Sequence, residues 1–452
     1  MSGLNDLAAR QRAYFRTGAT LPPDKRLEDL QKLDRAIRDR EQDLLAALAA
    51  DLHKHPAEGY MTEVGMVLEE LKYTRKHLRS WLRPRRVRTP LAQFPSRSYT
   101  LRPPYGAALI LAPWNYPVQL CLAPLIGALA AGCCVTLKPS AYAPASSAAV
   151  RALLEPLFPP EQVSVVEGGR AENAALLEQE WDKIFFTGSA AVGRLVLEKA
   201  ARRLTPCSLE LGGKSPCIVT GTADLPLAAR RIAFGKLLNA GQTCVAPDFV
   251  LIDRRVKDRF LAAYQAAVRT LYPTYDDLPH IINDKHFARL RGLLAEEHDL
   301  MGGLCDPESR FLPPSLLDQC TWDSPAMQEE IFGPLLPVLA YDELDGALER
   351  LRAMPKPLAL YLFTGDRAEE RRVLHTVPFG GGCVNDTVIH LANPRLPFGG
   401  VGESGMGGYH GKHSFDAFTH EQSVVAKGRL DLPFRYPPYT EEKGRWVRRF
   451  LG

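Results

Sequence analysis

Apolar residues recur at three- and four-residue spacings near the start of the chain: Leu27, Leu30, Leu33, Ile37, Leu44, Leu45 and Leu48, with charges between them. That spacing predicts helix with one buried face, and residues 64–81 continue in the same style. Residues 83–102 differ: they are Pro-punctuated, Arg-rich and partly alternating, which predicts two strands or an arm projecting from the globule. Between Arg102 and Lys138 no residue is charged. The run exceeds the roughly 20 apolar residues of a membrane helix, but Pro103, Pro104, Pro113, Pro117 and Pro124 break it. Backbone so interrupted in lipid would leave amides unpaired. The run therefore reads as a buried strand at 107–111, a polar turn at 113–117, a helix at 118–131 and a second buried strand at 134–138. This is a βαβ unit with both faces of its sheet covered.

The alternation then continues. Strands are predicted at 163–166, 183–186 and 207–209, with helices at 171–179 and 190–201. In the latter helix Val192, Leu195, Val196 and Ala200 share one face. A second series comprises a helix at 225–239, a strand at 249–252, a helix at 256–271, a strand at 335–340, a helix at 344–354, a strand at 358–363 and a helix at 368–376. Two runs of βα rhythm predict the α/β class with two parallel-sheet domains.

Composition narrows the class. At 452 residues, 46% of them hydrophobic, the chain can bury a core without disulfide or metal staples, and disorder, collagen and small disulfide scaffolds are excluded. The nine cysteines are odd in number and form no CxxC pair, so reduced thiols in a cytosolic protein are expected. The opening MSGLNDLAARQRAYF lacks the apolar core and cleavage site of a signal peptide.

Charge is unevenly spread. No acidic residue occurs from Leu71 to Leu154, while Arg75, Lys76, Arg79, Arg83, Arg85, Arg86, Arg88, Arg97 and Arg102 crowd the front of that interval. Nucleic acid or an anionic surface is one reading. A solvated arm that meets acidic residues of another domain or subunit is the other, and the near-neutral net charge of +4 favours it. The C-terminal KGRWVRRFLG mixes basic and aromatic residues as an interfacial anchor does, yet is too short to span a bilayer.

Several segments carry candidate chemistry. Gly400-Val401-Gly402-Glu403-Ser404-Gly405 matches G-x-G-x-x-G but follows Pro397-Phe398-Gly399 rather than an apolar strand, so it reads as a flexible loop. A better phosphate site is the strand-to-turn segment ending Thr187-Gly188-Ser189, with Ser189 at an N-cap position and Gly193 where the first turn approaches something closely. An ordinary strand–turn–helix connection fits it equally. Cys244 lies in a Gly- and Pro-flanked loop between a helix and a strand. It reads as a small buried hydrophobe or as a nucleophile held on a scaffolded loop. Glu210 closes an apolar strand, where desolvation raises a carboxyl pKa and suits it to general base work; a structural carboxylate is the alternative. Asn115 either aims its amide at a developing oxyanion or makes an Asx turn.

Six segments together resemble the motif set of the NAD(P)-dependent aldehyde dehydrogenases, in that family's order. They are PWNYP at 113–117, FTGS at 186–189, ELGGKSP at 210–216, GQTC at 241–244, EEIFGP at 329–334 and PFGGVG at 397–402. The compact length, GQTCVAPD, INDKHF at 282–287 and VGESGMGGYHGKHSF at 401–415 resemble the class 3 branch. The resemblance implies Cys244 as nucleophile, Asn115 with the Cys244 backbone N–H as oxyanion holders, and Glu210 as the base that hydrolyses a thioester. It implies Trp114, Lys138, Gly188, Ser189, Gly193, Glu330 and Phe332 as contacts of NAD or NADP, and no metal. It implies a cofactor-binding domain from 1–82 and 104–210, a catalytic domain from 211–410, and bridging or oligomerisation segments at 83–103 and 411–452. A homodimer oxidising medium-chain aliphatic or aromatic aldehydes is expected, with no nucleic-acid partner and with peripheral membrane contact left open.

One position departs from the family pattern. The Glu common three residues after the lysine is Ala141 here. Losing that carboxylate removes a repulsive charge against a 2′-phosphate, so acceptance of NADP+ beside NAD+ is expected. Two other classes compete with this reading. A thioester-forming acyltransferase or esterase is opposed by retention of Glu210, and a non-catalytic binding protein by the joint presence of Cys244, Glu210 and Asn115.

Overall fold

The computed structural model describes residue 4 and residues 6–451. Residues 1–3 and 5 of the opening segment, and Gly452 of the basic–aromatic tail, lie outside the described residues. Two open sheets and a small arm organise the chain. The first sheet runs, edge to edge, Gly405–Met406, Cys207–Glu210, Lys183–Thr187, Ala107–Leu111, Cys134–Lys138 and Val163–Val165. All its neighbours are parallel except Gly405–Met406. The central strands Ala107–Leu111, Cys134–Lys138 and Lys183–Thr187 are buried along their whole length. Two-sided burial explains the charge-free stretch, because a charge on either face would be desolvated.

Helix Gln119–Ala131 is buried at every position. The N-terminal helices cover it, and Arg26 reaches in to donate to the carbonyl oxygens of Thr20 and Ala130. The helix ends at Gly132 with φ +93°, where a Cβ would lie 2.8 Å from the Arg26 guanidinium. Only glycine meets both conditions without strain.

The second sheet runs His298–Asp299, Ser315–Asp318, Leu335–Tyr341, Phe249–Asp253, Pro216–Val219, Ala359–Phe363 and Gly381–Val384. Only its first strand is antiparallel. The arm is antiparallel: Arg85–Val87 pairs with Ser96–Leu101, which pairs with Gln422–Lys427 from near the other end of the chain. Some of the crowded basic residues meet acidic partners from distant segments: Arg75 with Asp34 at 3.0 Å, Arg79 with Asp24 at 2.6 Å, and Arg102 with Asp416 and Glu421 at 3.5 and 3.2 Å. Among the described residues no helix is long and apolar enough to cross a membrane.

Three differences from the sequence pattern have physical causes. In helix Ala190–Ala201 the buried face is Gly193, Val196 and Ala200, while Val192 and Leu195 are almost half exposed. The small Gly193 faces Leu211, so the helix sits down on that line and lifts the flanking residues away. The strands Pro216–Val219 and Gly381–Val384 have only four residues each, one opening with Pro and the other with two Gly, and give no strand signal. The segment after 404 turns back to the first sheet: Gly405–Met406 forms its edge, and helix Lys412–Ala417 packs Ser414 against Gly127.

Candidate active site

Three adjacent strands of the first sheet end on the same side and deliver consecutive parts of a site. Lys183–Thr187 leads to Gly188 and Ser189, Ala107–Leu111 to Trp114 and Asn115, and Cys134–Lys138 ends on Lys138 itself. The crevice beyond the carboxyl ends of parallel strands is where such sheets bind ligands. Lys138 is buried, and its ammonium donates to the carbonyl oxygens of Pro139 at 2.7 Å and Gly168 at 2.6 Å. Burial lowers its pKa. Ser189 is exposed at the N-terminus of helix Ala190–Ala201, and its hydroxyl makes no capping bond. The donors of that first turn are therefore not claimed by the Ser189 side chain, as an incoming pyrophosphate requires. Gly193 is close enough to Leu211 that a Cβ would meet it at 2.7 Å, and Gly188 meets the Phe186 ring in the same way.

The glycine loop at 400–405 has a different job. Gly405 pairs antiparallel with Glu210, and Leu211 donates its N–H to the Ser404 carbonyl at 3.0 Å. The loop runs into the edge strand Gly405–Met406, which covers the strand ending in Glu210, and it opens no helix.

Cys244 is partly exposed and lies just past the turn Leu238–Gly241. Asn239, Ala240 and Gly241 of that turn all have positive φ, at +53°, +52° and +73°. A Cβ on Gly241 would lie 2.1 Å from the Gly333 carbonyl oxygen, so the turn before Cys244 presses directly on the 329–334 segment. Asn115 is buried and donates its amide to the Gln242 carbonyl at 3.0 Å. Asn239 donates to the carbonyls of both Asn115 and Gln242, at 2.8 and 3.0 Å. Gln242 in turn donates to the Asn239 and His280 carbonyls and accepts from the Ile282 N–H.

Two carboxylates act electrostatically on the Cys244 thiol. Glu210, 2% exposed, has no hydrogen-bond partner among the described residues on either carboxylate oxygen. Burial alone pushes its pKa well above the usual carboxylate range. Glu330 is pushed up to about 8 by burial first and then by the charge of Asp248, with a hydrogen bond from the Gly213 backbone opposing. Glu330 needs Gly212 beside it, since a Cβ there would sit 2.1 Å from a carboxylate oxygen. Burial, then Glu330 and Glu210, push the Cys244 thiol up to about 12. These surroundings thus favour the thiol over the thiolate until a base or a bound cation changes them.

Trp114 and Phe332 meet edge to face at 5.4 Å, and Trp114 also touches the His286 ring at 5.2 Å. Phe332 has φ +51°, and the segment bearing it is clamped from both sides. Lys214 pairs with Asp248 and donates to the carbonyls of Ala326 and Glu329, both at 2.9 Å. Asp248 accepts from the Ile331 N–H at 3.0 Å. From the other side Arg289 binds Glu329 at 2.8 Å and donates to the Glu330 and Ile331 carbonyls. Nothing in the local sequence marks Asn239, Gln242, Asp248 or Arg289 as part of this site, apart from the polar residues packed around GQTC and EEIFGP.

The sequence matches the aldehyde dehydrogenase family over residues 4–424. The chain belongs to that family. It is 46% identical over 447 residues to 4,4'-diaponeurosporen-aldehyde dehydrogenase of Staphylococcus aureus, covering 97% of each chain. It is 42% identical over 454 residues to aldehyde dehydrogenase family 3 member H1 of Arabidopsis thaliana, covering 98% of this chain and 94% of the other. The solved substrate-bound state of Staphylococcus aureus AldH superposes with a TM-score of 0.97 at 45% identity over 99% of both chains. This aldehyde dehydrogenase is an oxidoreductase that uses NAD(P)+ to oxidise aldehydes, and the fold matches the two-domain architecture of the family.

Proposed function

We propose that Cys244, Asn115 and Glu210 carry the reaction. Cys244 gives up its proton to water in the site and attacks the aldehyde carbon as the thiolate, and the Asn115 amide with the Cys244 backbone N–H holds the oxyanion of the thiohemiacetal. A dinucleotide held by the residues named below would supply the acceptor for the hydride lost from the former aldehyde carbon, which leaves a thioester on Cys244. Glu210 then takes a proton from the water that hydrolyses the thioester, and the acid leaves. The observation that carries this reading is the pair of unpartnered oxygens on buried Glu210, whose proton affinity is raised by burial and whose charge is felt by Cys244. Buried carboxylates are normally hydrogen-bonded, and a vacant one beside a thiol suits a base. Trp114, Lys138, Gly188, Ser189, Gly193, Glu330 and Phe332 hold the dinucleotide. Residues 1–82 and 104–210 form the cofactor domain and 211–410 the catalytic domain, with 405–410 lending an edge strand to the former. Residues 83–103 and 411–452 bridge.

The test separates the steps. Cys244→Ala abolishes NAD(P)H formation, whereas Glu210→Gln gives one equivalent of NAD(P)H per site and stalls at the thioester. Steady turnover in either variant overturns the role given to that residue. A wild-type enzyme that stops after one equivalent of NAD(P)H and turns over only when a thiol is added would favour acyl transfer instead.

Medium-chain aliphatic and aromatic aldehydes are the substrates we infer, to be ranked by kcat/KM across a panel. We infer a cytosolic enzyme, a reading that the nine free cysteines support. The arm's outer strand Gln422–Lys427 offers an unpaired edge for a second copy, which supports a homodimer, and light scattering decides it. Helix Glu441–Leu451 exposes Trp446 and Leu451 among Lys443, Arg445, Arg448 and Arg449, which supports peripheral contact with anionic lipid. Cosedimentation with phosphatidylserine vesicles at low salt tests that contact, and its absence removes the idea.

A further inference from the structure

The N-terminal region holds a buried charged cluster that the reaction as described does not use. Lys54 and Glu63 form an ion pair at 2.7 Å with both side chains fully buried. Glu63 lies in the π-helical turn Tyr60–Val64, and single-turn π-bulges recur at functional positions. Its second oxygen accepts the backbone N–H groups of Val118 and Gln119 at 2.8 and 3.2 Å. Those are the orphan donors of the helix that begins directly after Pro113–Pro117, so Glu63 caps the segment carrying Asn115.

The same cluster reaches the nucleophile's side. The Lys54 ammonium sits 4.3 Å from the centre of the Tyr116 ring. The Tyr116 hydroxyl shares a 2.6 Å hydrogen bond with the hydroxyl of Thr243, the residue before Cys244. Glu58, one turn before Glu63, accepts the Asn239 N–H at 2.8 Å and so holds the positive-φ turn. Burial raises the Glu58 pKa, with Lys54 opposing. Three residues of one short segment therefore grip both the oxyanion-bearing loop and the nucleophile turn. Neither loop could slide relative to the other without uncovering a buried charge.

We infer that Glu63, Lys54 and Glu58 are positioning residues that fix the Asn115 amide relative to Cys244 for attack on the aldehyde. This rests on the roles proposed above for Cys244 and Asn115. A carboxylate is suited to the task because it serves two backbone donors and one ammonium at once, and a buried charged anchor cannot drift into solvent-exchanged geometries. The contribution is to near-attack geometry, where a displacement of about 1 Å costs on the order of a hundredfold in rate.

The experiment uses the full chain with Tyr116→Phe, Glu58→Gln, Glu63→Gln and the paired Lys54→Met/Glu63→Gln variant, which removes both charges. The pre-steady-state NAD(P)H burst, the KM for cofactor and the melting temperature are read for each. Tyr116→Phe and Glu63→Gln are expected to slow the burst about tenfold or more with cofactor KM changed by less than about twofold. The paired variant is expected to regain melting temperature but not burst rate, a split that a purely structural anchor would not give. Burst rates within about twofold of the wild type in Tyr116→Phe, or recovery of burst and melting temperature together in the paired variant, overturn the inference. If Glu63→Gln does not fold, Tyr116→Phe and Glu58→Gln decide it by the same burst criterion. Asn115→Ala run alongside separates the two readings. An unaffected burst there sinks the oxyanion assignment itself, whereas a lost burst with intact Tyr116→Phe sinks only the positioning.

Discussion

The Asn115 amide donates to the carbonyl oxygen of Gln242 at 3.0 Å, two residues before the cysteine it is proposed to serve. One N–H of the carboxamide is therefore spent on holding the nucleophile turn, and the other remains for an oxyanion. In the proposed mechanism a single side chain both holds the turn before Cys244 and supplies charge stabilisation. Asn115→Ala is expected to lower the burst rate by about 10²–10³-fold, the usual loss for one oxyanion donor. Asn115→Asp keeps the shape but places an acceptor where a donor is needed, and its burst should fall at least as far. A burst near the wild-type rate in Asn115→Ala would refute the role.

Glu210 carries a stability cost that can be measured separately from its chemistry. Its folded-state pKa is raised by burial, so the folded chain holds the proton more tightly than the unfolded one. The contribution of this group to stability is present below the unfolded carboxyl range and is lost as pH rises through the raised value. Glu210→Gln removes that loss. The variant should melt at the same temperature as the wild type near pH 4.5 and above it at pH 8, with the gap widening between. A constant gap across that range would show that the carboxylate is not desolvated.

How far the sequence led depends on what kind of signal each element carries. Fully buried strands such as Ala107–Leu111 and Cys134–Lys138 were legible because nothing charged survives on either face. The short strands Pro216–Val219 and Gly381–Val384 were not, since four residues with Pro or Gly carry no period. Cys244, Glu210 and Asn115 were legible as a set only through their motif neighbours, each being ambiguous alone. Lys214–Asp248, Arg289 and Glu63 escaped because their partners are backbone atoms far away in the chain, and sequence spacing says nothing about those.

Ala141 is exposed just beyond Lys138, where the family's common carboxylate is missing. A 2′-phosphate arriving there meets the Lys138 ammonium without that opposing charge. The wild type is therefore expected to turn over with both NAD+ and NADP+. Ala141→Glu should lower kcat/KM for NADP+ by about tenfold or more while leaving NAD+ within about threefold, as a like charge near the phosphate costs more than 1.4 kcal/mol. Steady-state kinetics with both cofactors check this. An NADP+ efficiency that does not fall in Ala141→Glu would place the adenosine ribose elsewhere.

The Lys214–Asp248 pair acts on cofactor affinity through the backbone it pins. Both side chains are nearly buried, at 10% and 5% exposure, and between them they hold the Ala326 and Glu329 carbonyls and the Ile331 N–H that flank Glu330. Removing one partner leaves the other charge uncompensated in the interior, a loss of about 3–5 kcal/mol. Asp248→Ala should lower the melting temperature and also free the Glu330 carboxylate from the position that Gly212 leaves room for. If Glu330 binds the nicotinamide ribose, the KM for NAD(P)+ rises about tenfold or more with a smaller fall in kcat. Arg289→Met, acting on the same segment from its exposed side, should give a weaker version of the same pattern with little loss of stability, because its pairing with Glu329 is solvent-screened. A fall in kcat with unchanged cofactor KM in both variants would mean that the clamp serves Cys244 through Gly241 and Gly333 rather than the cofactor through Glu330.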